Sequence, residues 1–433
     1  RMAHQNIRLS DPHYVDDETS AHIAFRREFD MTNDSKLFVE RDRAVESGFV
    51  LDCFGDWIRG NWRPADQFDS SNFGTVVPSS DGKTGIAIDD ISEVFLPLYE
   101  GRMIGQFDWA KKGWSEGKGR RAIWNDLAFT EKQISPQYLM RLSDYLQMQP
   151  VRGSKLAYLA VGAATNSRTF ISSVIGDWPC ANSVPVLDFV VESSQKMYAS
   201  SNCIFALAAC MNSLVFDFTL RMRLSSNNLN WFILQESALP RLNELAKNVS
   251  FVRLVELLSL HPALAVNFGD LVHQSRTVSH QENPFSILQP SQRARYRAIV
   301  EAVVASAYGV KNQDLEIILR LCEVEGLRSQ SSSQNQALEK SFHRVDADLN
   351  PRLRLPALFF AAFQLLCSNG LEWLLAQAFE KDFLFFDDEY NSHFSAAISS
   401  DKASPLVSDL SIPELQKLFH EIRNVKIAYP TIS

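Results

Sequence analysis

Residues 111–121 carry five cations, Lys111, Lys112, Lys118, Arg120 and Arg121, among three glycines, and Trp109, Trp114 and Trp124 lie in and around them. Cations neutralise a phosphate backbone, and indoles offer faces on which unpaired bases stack. The plain alternative is a solvated surface loop, the usual fate of a charge run. The tryptophans argue against it, because an indole exposed in a Gly/Lys loop is costly without a partner. A second group, Arg221, Arg223, Asn227, Asn228 and Asn230, has the side-chain types that read guanine and adenine edges or bind phosphates. Taken alone, this group is better explained as a helix C-terminus, with cations on its dipole and asparagines in the following turn.

Other chemistries find little support. Dinucleotide or S-adenosylmethionine binding needs a Gly-rich turn between a strand and a helix, whereas Gly74, Gly162 and Gly176 are single and read as turn glycines. Adenine methylation uses a (D/N/S)PP(Y/F) motif, whose polar group accepts from the exocyclic amine while the ring stacks on the flipped base. Asp11-Pro12-His13-Tyr14 comes nearest, but His replaces the second Pro and a polar stretch precedes it. It reads as a turn. Asp81-Gly82-Lys83 and Glu116-Gly117-Lys118 match the metal-nuclease triplet formally, yet lie in Gly-rich loops without a strand framework. No zinc spacing or Walker loop occurs, and His261, His273 and His280 read as surface or helix-end histidines.

The elements that must position these groups follow from composition and periodicity. The chain has 433 residues, 45% hydrophobic and 22% charged, enough for two or three cores. A net charge of -8 argues against a binder of nucleic acid by bulk charge, but leaves room for a local basic face. Six scattered cysteines without CxxC suit a reducing compartment. No apolar run reaches the ~18 residues of a membrane span and no signal peptide opens the sequence, so a cytoplasmic protein is expected. Arg precedes Met2, as in a fragment, a cleaved product or a cloning scar.

Residues 23–29 suggest a helix or extended arm, 48–52 a strand, 60–85 a loop and 94–99 a second apolar segment. A helix over 135–148 would start at Ser135-Pro136. Residues 155–161, 169–175 and 184–191 have strand length and β-branched content, and 230–234 is read as a strand too. Residues 202–223 form one almost wholly apolar, buried helix. Helical spacing then dominates over 242–259, 291–308, 313–326, the pair 358–366 and 371–379 broken at Asn369-Gly370, and 412–425, with a Ser/Gln-rich linker at 327–336. The fold class is α+β: a mixed α/β domain over residues 1–240, then an α-helical domain over 241–433.

Five blocks in order resemble the target-recognition half of class I N6-adenine DNA methyltransferases of type IIG restriction–modification and phage-defence (phage-exclusion and DISARM-like) systems. They are residues 29–38 (FDMTNDSKLF), 96–109 (LPLYEGRMIGQFDW), 163–169 (AATNSRT), 211–218 with 228–234 (MNSLVFDF and NLNWFIL), and the pair 308–310 (YGV) and 342–346 (FHRVD). The family's catalytic half, with its cofactor loop and NPPY-type motif, precedes these blocks and is missing from this sequence. Gly105 also stands where the family has His.

The resemblance implies recognition of double-stranded DNA, with methyl transfer performed by residues outside this sequence. S-adenosylmethionine is implied only for that catalytic part, and no cofactor is expected in this chain. Arg102, Lys111, Lys112, Lys118, Arg120 and Arg121 would grip the backbone beside Trp114. Asn166, Arg168, Arg221, Arg223, Asn227, Asn228 and Asn230 form a second set of candidates. The implied partners are DNA, a methyltransferase catalytic domain or subunit, and other defence-system subunits. The competing expectation is a scaffold that docks a defence subunit through its helical region without touching DNA.

Overall fold

The run Ile91–Pro97 (ISEVFLP) is buried at every position but one, as a strand flanked on both sides must be. In this computed structural model it is the centre of a five-stranded antiparallel sheet, ordered Phe38–Glu40, Tyr138–Arg141, Ile91–Pro97, Trp57–Gly60 and Val50–Leu51. Residues 6–15, 21–68, 75–129, 132–151, 153–191, 201–224, 226–261, 288–319 and 342–380 are described. Gly74, His273, His280, Cys322, Gly326, the 327–336 linker and the 412–425 helix lie outside them.

A second antiparallel sheet runs Ser172–Ile175, Lys155–Tyr158, Val186–Val191 and Ala21–Arg26, the first three close to their expected places. Residues 60–85, expected as loop, instead contribute a three-stranded sheet of Arg63–Pro64, Thr84–Ala87 and Val76–Pro78. These strands are only two to four residues long, and the polar turn residues between them dominate the composition.

Two further expectations fail for tertiary reasons. Tyr138–Arg141 is a strand, because Phe38–Glu40 and Ile91–Pro97 pair with it on either side; only Leu142–Gln147 is helical. Ser135 therefore caps nothing, and its hydroxyl accepts from Arg41 at 2.7 Å. The run 230–234 is a helix, Trp231–Gln235, because a short apolar run carries no periodicity to separate helix from strand.

The apolar helix of 202–223 is two helices, Ser201–Met211 and Leu214–Arg221, bent by 53°. At the break the Asn212 side chain exchanges hydrogen bonds with the Ser172 backbone, and the Ser213 hydroxyl accepts from Phe216 N, capping the second helix. Among the described residues no single helix is long and apolar enough to cross a membrane, and this pair is buried against the rest of the chain.

The described strands all lie before residue 240. Beyond it come Leu242–Lys247, Val249–Ser259, Pro290–Ala307, Asn312–Leu319, Leu355–Asn369 and Leu371–Phe379. Pro290–Ala307 packs on Leu355–Asn369 and, from the other side, on the bent pair, so one apolar core runs from Leu9 to Ala378.

Gly162 follows the Lys155–Tyr158 strand, packs on the Thr169 backbone and donates to Asn227 O at 2.9 Å. A Cβ there would sit 1.9 Å from Thr169 O. Gly162→Ala is expected to lower unfolding free energy by about 1–3 kcal/mol, read from the urea midpoint.

Candidate nucleic-acid interface

The basic stretch is a built hairpin. Lys112–Glu116 pairs antiparallel with Ile123–Asp126, Trp114 opposite Trp124, and the register shifts after Trp114. Gly117 (φ 80°) and Gly119 (φ 57°) turn the chain at the tip in the left-handed region that glycine tolerates. A Cβ on Gly117 would meet Arg121 O at 2.4 Å.

The tryptophans overturn the expectation of exposed stacking faces. Trp109 is 2% exposed and Trp114 8%, while Trp124 is half-buried. Trp109 stacks near Trp178 at 6.5 Å. The Trp114 indole donates to Gly117 O at 3.0 Å, and the Arg41 guanidinium covers its ring at 4.6 Å. These side chains anchor the hairpin, so Trp114 leaves no face free for a base.

The cations divide into paired and free. Lys111 and Lys112 converge on Asp126 at 2.9 and 3.5 Å. The hydrogen bond from Lys111 leads the causes that hold the Asp126 carboxyl below its usual range. Lys118 bonds Glu40 at 2.7 Å and lowers that carboxyl likewise. Arg102 donates to Ala122 O at 3.2 Å, bracing the far side of the tip. Arg120 and Arg121 are exposed and make no ion pair or side-chain hydrogen bond among the described residues.

The second group separates differently. Arg168 and Arg221 are interior, a correction to their place among surface contacts. Asp217 accepts from Arg221 Nε at 2.5 Å and pairs with Arg168 Nε at 3.2 Å. Arg221 also donates to the carbonyls of Ala164, Asn166 and Ser167 and lies 4.5 Å over the Phe342 ring. Arg168 donates to Asn212 O. Asn166, Arg223, Asn227 and Asn228 are exposed, though Arg223 donates to Glu236 O at 2.6 Å. Asn227 O accepts from Gly162 N, Asn228 bridges Val161, and half-buried Asn230 starts the Trp231–Gln235 helix. No distance places these residues in one site with the hairpin tip.

What the structure does bring together is four of the five ordered blocks, those at 96–109, 163–169, 211–218 and 342–346. Gln106 donates to Asn212 O at 2.6 Å, Phe107 N to Ser172 O at 3.1 Å, and Arg344 to Thr165 O. Pro290–Ala307 supplies the remaining links, which sequence reasoning missed. Arg293 donates to Phe107 O, Arg297 to Gln106 Oε1, and Glu301 accepts from Leu214 N. Their signal was a polar stripe at four-residue spacing within an apolar helix.

Burial pushes the Glu301 carboxyl up to about 7 from 4.5, against the opposing pull of Arg168. Between those values the folded chain keeps a proton that the unfolded chain has released. The stabilisation is therefore full below about pH 4.5, falls through about pH 7 and is flat above. Glu301→Gln is expected to remove about 3 kcal/mol of pH dependence, seen by comparing urea unfolding of variant and parent at acid and mildly alkaline pH.

Among the described residues no group of three or more His, Cys, Asp or Glu side chains is placed to hold a metal. No family model, curated protein or solved structure matches the chain.

Proposed function

We propose that the chain recognises double-stranded DNA in a sequence-specific manner, as the specificity part of an adenine-N6 DNA methyltransferase in bacterial restriction–modification or phage defence. The observation that carries the proposal is the hairpin tip, where Arg120 and Arg121 stand exposed and, among the described residues, unpaired on a tryptophan-anchored ribbon. Cations without an ion pair contact phosphates without first giving one up. Lys118 and Arg102 lie beside the tip, held by Glu40 and Ala122 O, and add positive charge to it. The ordered resemblance supports DNA as the polyanion and a separate catalytic domain or subunit, carrying S-adenosylmethionine, as the site of chemistry.

A fluorescence-anisotropy titration of labelled duplex at increasing salt tests the proposal, with the chain alone and with the catalytic part. Affinity that falls steeply with salt supports it; no binding in either case, or a flat salt response, overturns it.

The scaffold reading draws on Phe360, Leu371 and Trp373, exposed apolar side chains on the Leu355–Asn369 and Leu371–Phe379 helix pair. Under that reading a defence subunit co-purifies in stoichiometric amount while duplex affinity is absent.

A further inference from the structure

The short helix Trp231–Gln235 carries two adjacent rings with opposite fates. Trp231 lies against the edge strand Ala21–Arg26 and stacks on Phe25, with centroids 5.7 Å apart and planes 18° from parallel. Ile233 and Leu234 are buried and fix the helix to the core. Phe232 points outward and is 62% exposed. A single exposed ring needs no explanation; this one stands among cations.

Glu236 continues the helix in helical backbone (φ -88°, ψ 0°), so it lies one turn along from Phe232 on the same face. Two guanidinium groups meet at that residue. Arg8 Nη1 pairs with its carboxylate at 2.8 Å, and Arg223 Nη1 donates to its backbone O at 2.6 Å. Among the described residues these bonds spend one nitrogen of each fork. Asp11, three residues beyond Arg8, accepts from the His13 backbone N–H at 2.8 Å. Two arginines therefore face one paired glutamate beside the ring. Met222, next to Arg223, is exposed and adds apolar area.

A nucleotide alternates in the same way: its base stacks on a ring while its phosphate takes a guanidinium. Bases inside a duplex already stack on one another, so such a ring serves an unpaired strand. From this juxtaposition we infer that the surface around Phe232 binds single-stranded DNA. Phe232 is the stacking face for one base, and Arg8 and Arg223 take the flanking phosphates. The site is separate from the hairpin and calls on different chemistry, because the hairpin tip offers cations without an open ring.

Fluorescence anisotropy of the full chain with a short labelled oligothymidylate, and with an abasic strand of equal length, tests the inference. The oligothymidylate is expected to bind more tightly. Phe232→Leu, which keeps apolar area and removes the ring, is expected to weaken it by about tenfold and to leave the abasic strand unaffected. Phe232→Trp is expected to hold the parent's affinity. Arg8→Met with Arg223→Met is expected to weaken both strands and to flatten their salt dependence. All three positions are exposed, and circular dichroism confirms that the variants fold. Arg120→Ala with Arg121→Ala should leave the difference between the two strands intact, which separates this surface from the hairpin. Equal affinity for the two strands, oligothymidylate binding unchanged by Phe232→Leu, or no binding of either strand overturns the inference. Loss of a co-purifying protein on Phe232→Leu, with the strands bound as by the parent, assigns the ring to protein docking and overturns it too.

Discussion

An Asp217→Ala variant is expected to lose about 3–5 kcal/mol of unfolding free energy, the cost of leaving a buried charge without its counterion. Asp217 is fully buried, accepts hydrogen bonds from Arg221 Nε at 2.5 Å and Thr169 N at 2.9 Å, and forms an ion pair with Arg168 at 3.2 Å. Its removal strands two interior guanidinium groups, and the remaining acid, Glu301, reaches Arg168 only at 3.7 Å. Against a typical total of about 5–15 kcal/mol, that loss removes a large share of the stability. Asp217→Asn keeps an acceptor for Thr169 N and should fall between parent and Asp217→Ala.

Converting the trio to apolar side chains is expected to recover only part of the loss. Such replacements are often neutral elsewhere, but Arg221 also donates to the carbonyls of residues 164, 166 and 167, and these partly buried bonds would be lost. Urea unfolding followed by far-UV circular dichroism reads all these differences. An Asp217→Ala midpoint equal to the parent's would show that the cluster is not holding the fold.

This cluster also marks where sequence reasoning stops. The spacing of Asp217 and Arg221 announces an i,i+4 ion pair, and the surrounding run announces burial. What covers the pair is Phe342 and the turn 163–169, distant in sequence and placed only by the tertiary fold. Three of the ordered blocks, at 163–169, 211–218 and 342–346, meet at this point, so part of their pattern has a structural cause in the core.

Strands such as Lys155–Tyr158 and Ser172–Ile175 were legible because their short apolar runs end at Gly162 and Gly176. The Leu355–Asn369 and Leu371–Phe379 break was legible because Gly370 takes φ 88°. Tyr138–Arg141 and the burial of Trp114 were not, since each depends on a remote partner: two strands for the first, Arg41 for the second. At the hairpin the cations could be read from the sequence. Their pairing with Glu40 and Asp126, which among the described residues leaves Arg120 and Arg121 without an ion pair, could not.

That division sets the second large effect. Arg120→Ala with Arg121→Ala is expected to weaken duplex binding by about ten- to a hundredfold at moderate salt and to reduce the slope of log affinity against log salt by about 2. Both side chains are exposed and unpaired among the described residues, so the unfolding free energy should stay within about 0.5 kcal/mol of the parent's. Lys111→Ala and Lys112→Ala should do less, because those ammonium groups already share Asp126 and their loss partly frees an acid. Asp126→Asn, which releases both lysines, should strengthen binding. Opposite signs for Asp126→Asn and the arginine pair would locate the contact on the hairpin. Equal small losses from every cation replaced would mean that long-range charge, not this tip, attracts the duplex. If the arginine pair keeps the parent's affinity and salt slope, the hairpin is not the DNA contact.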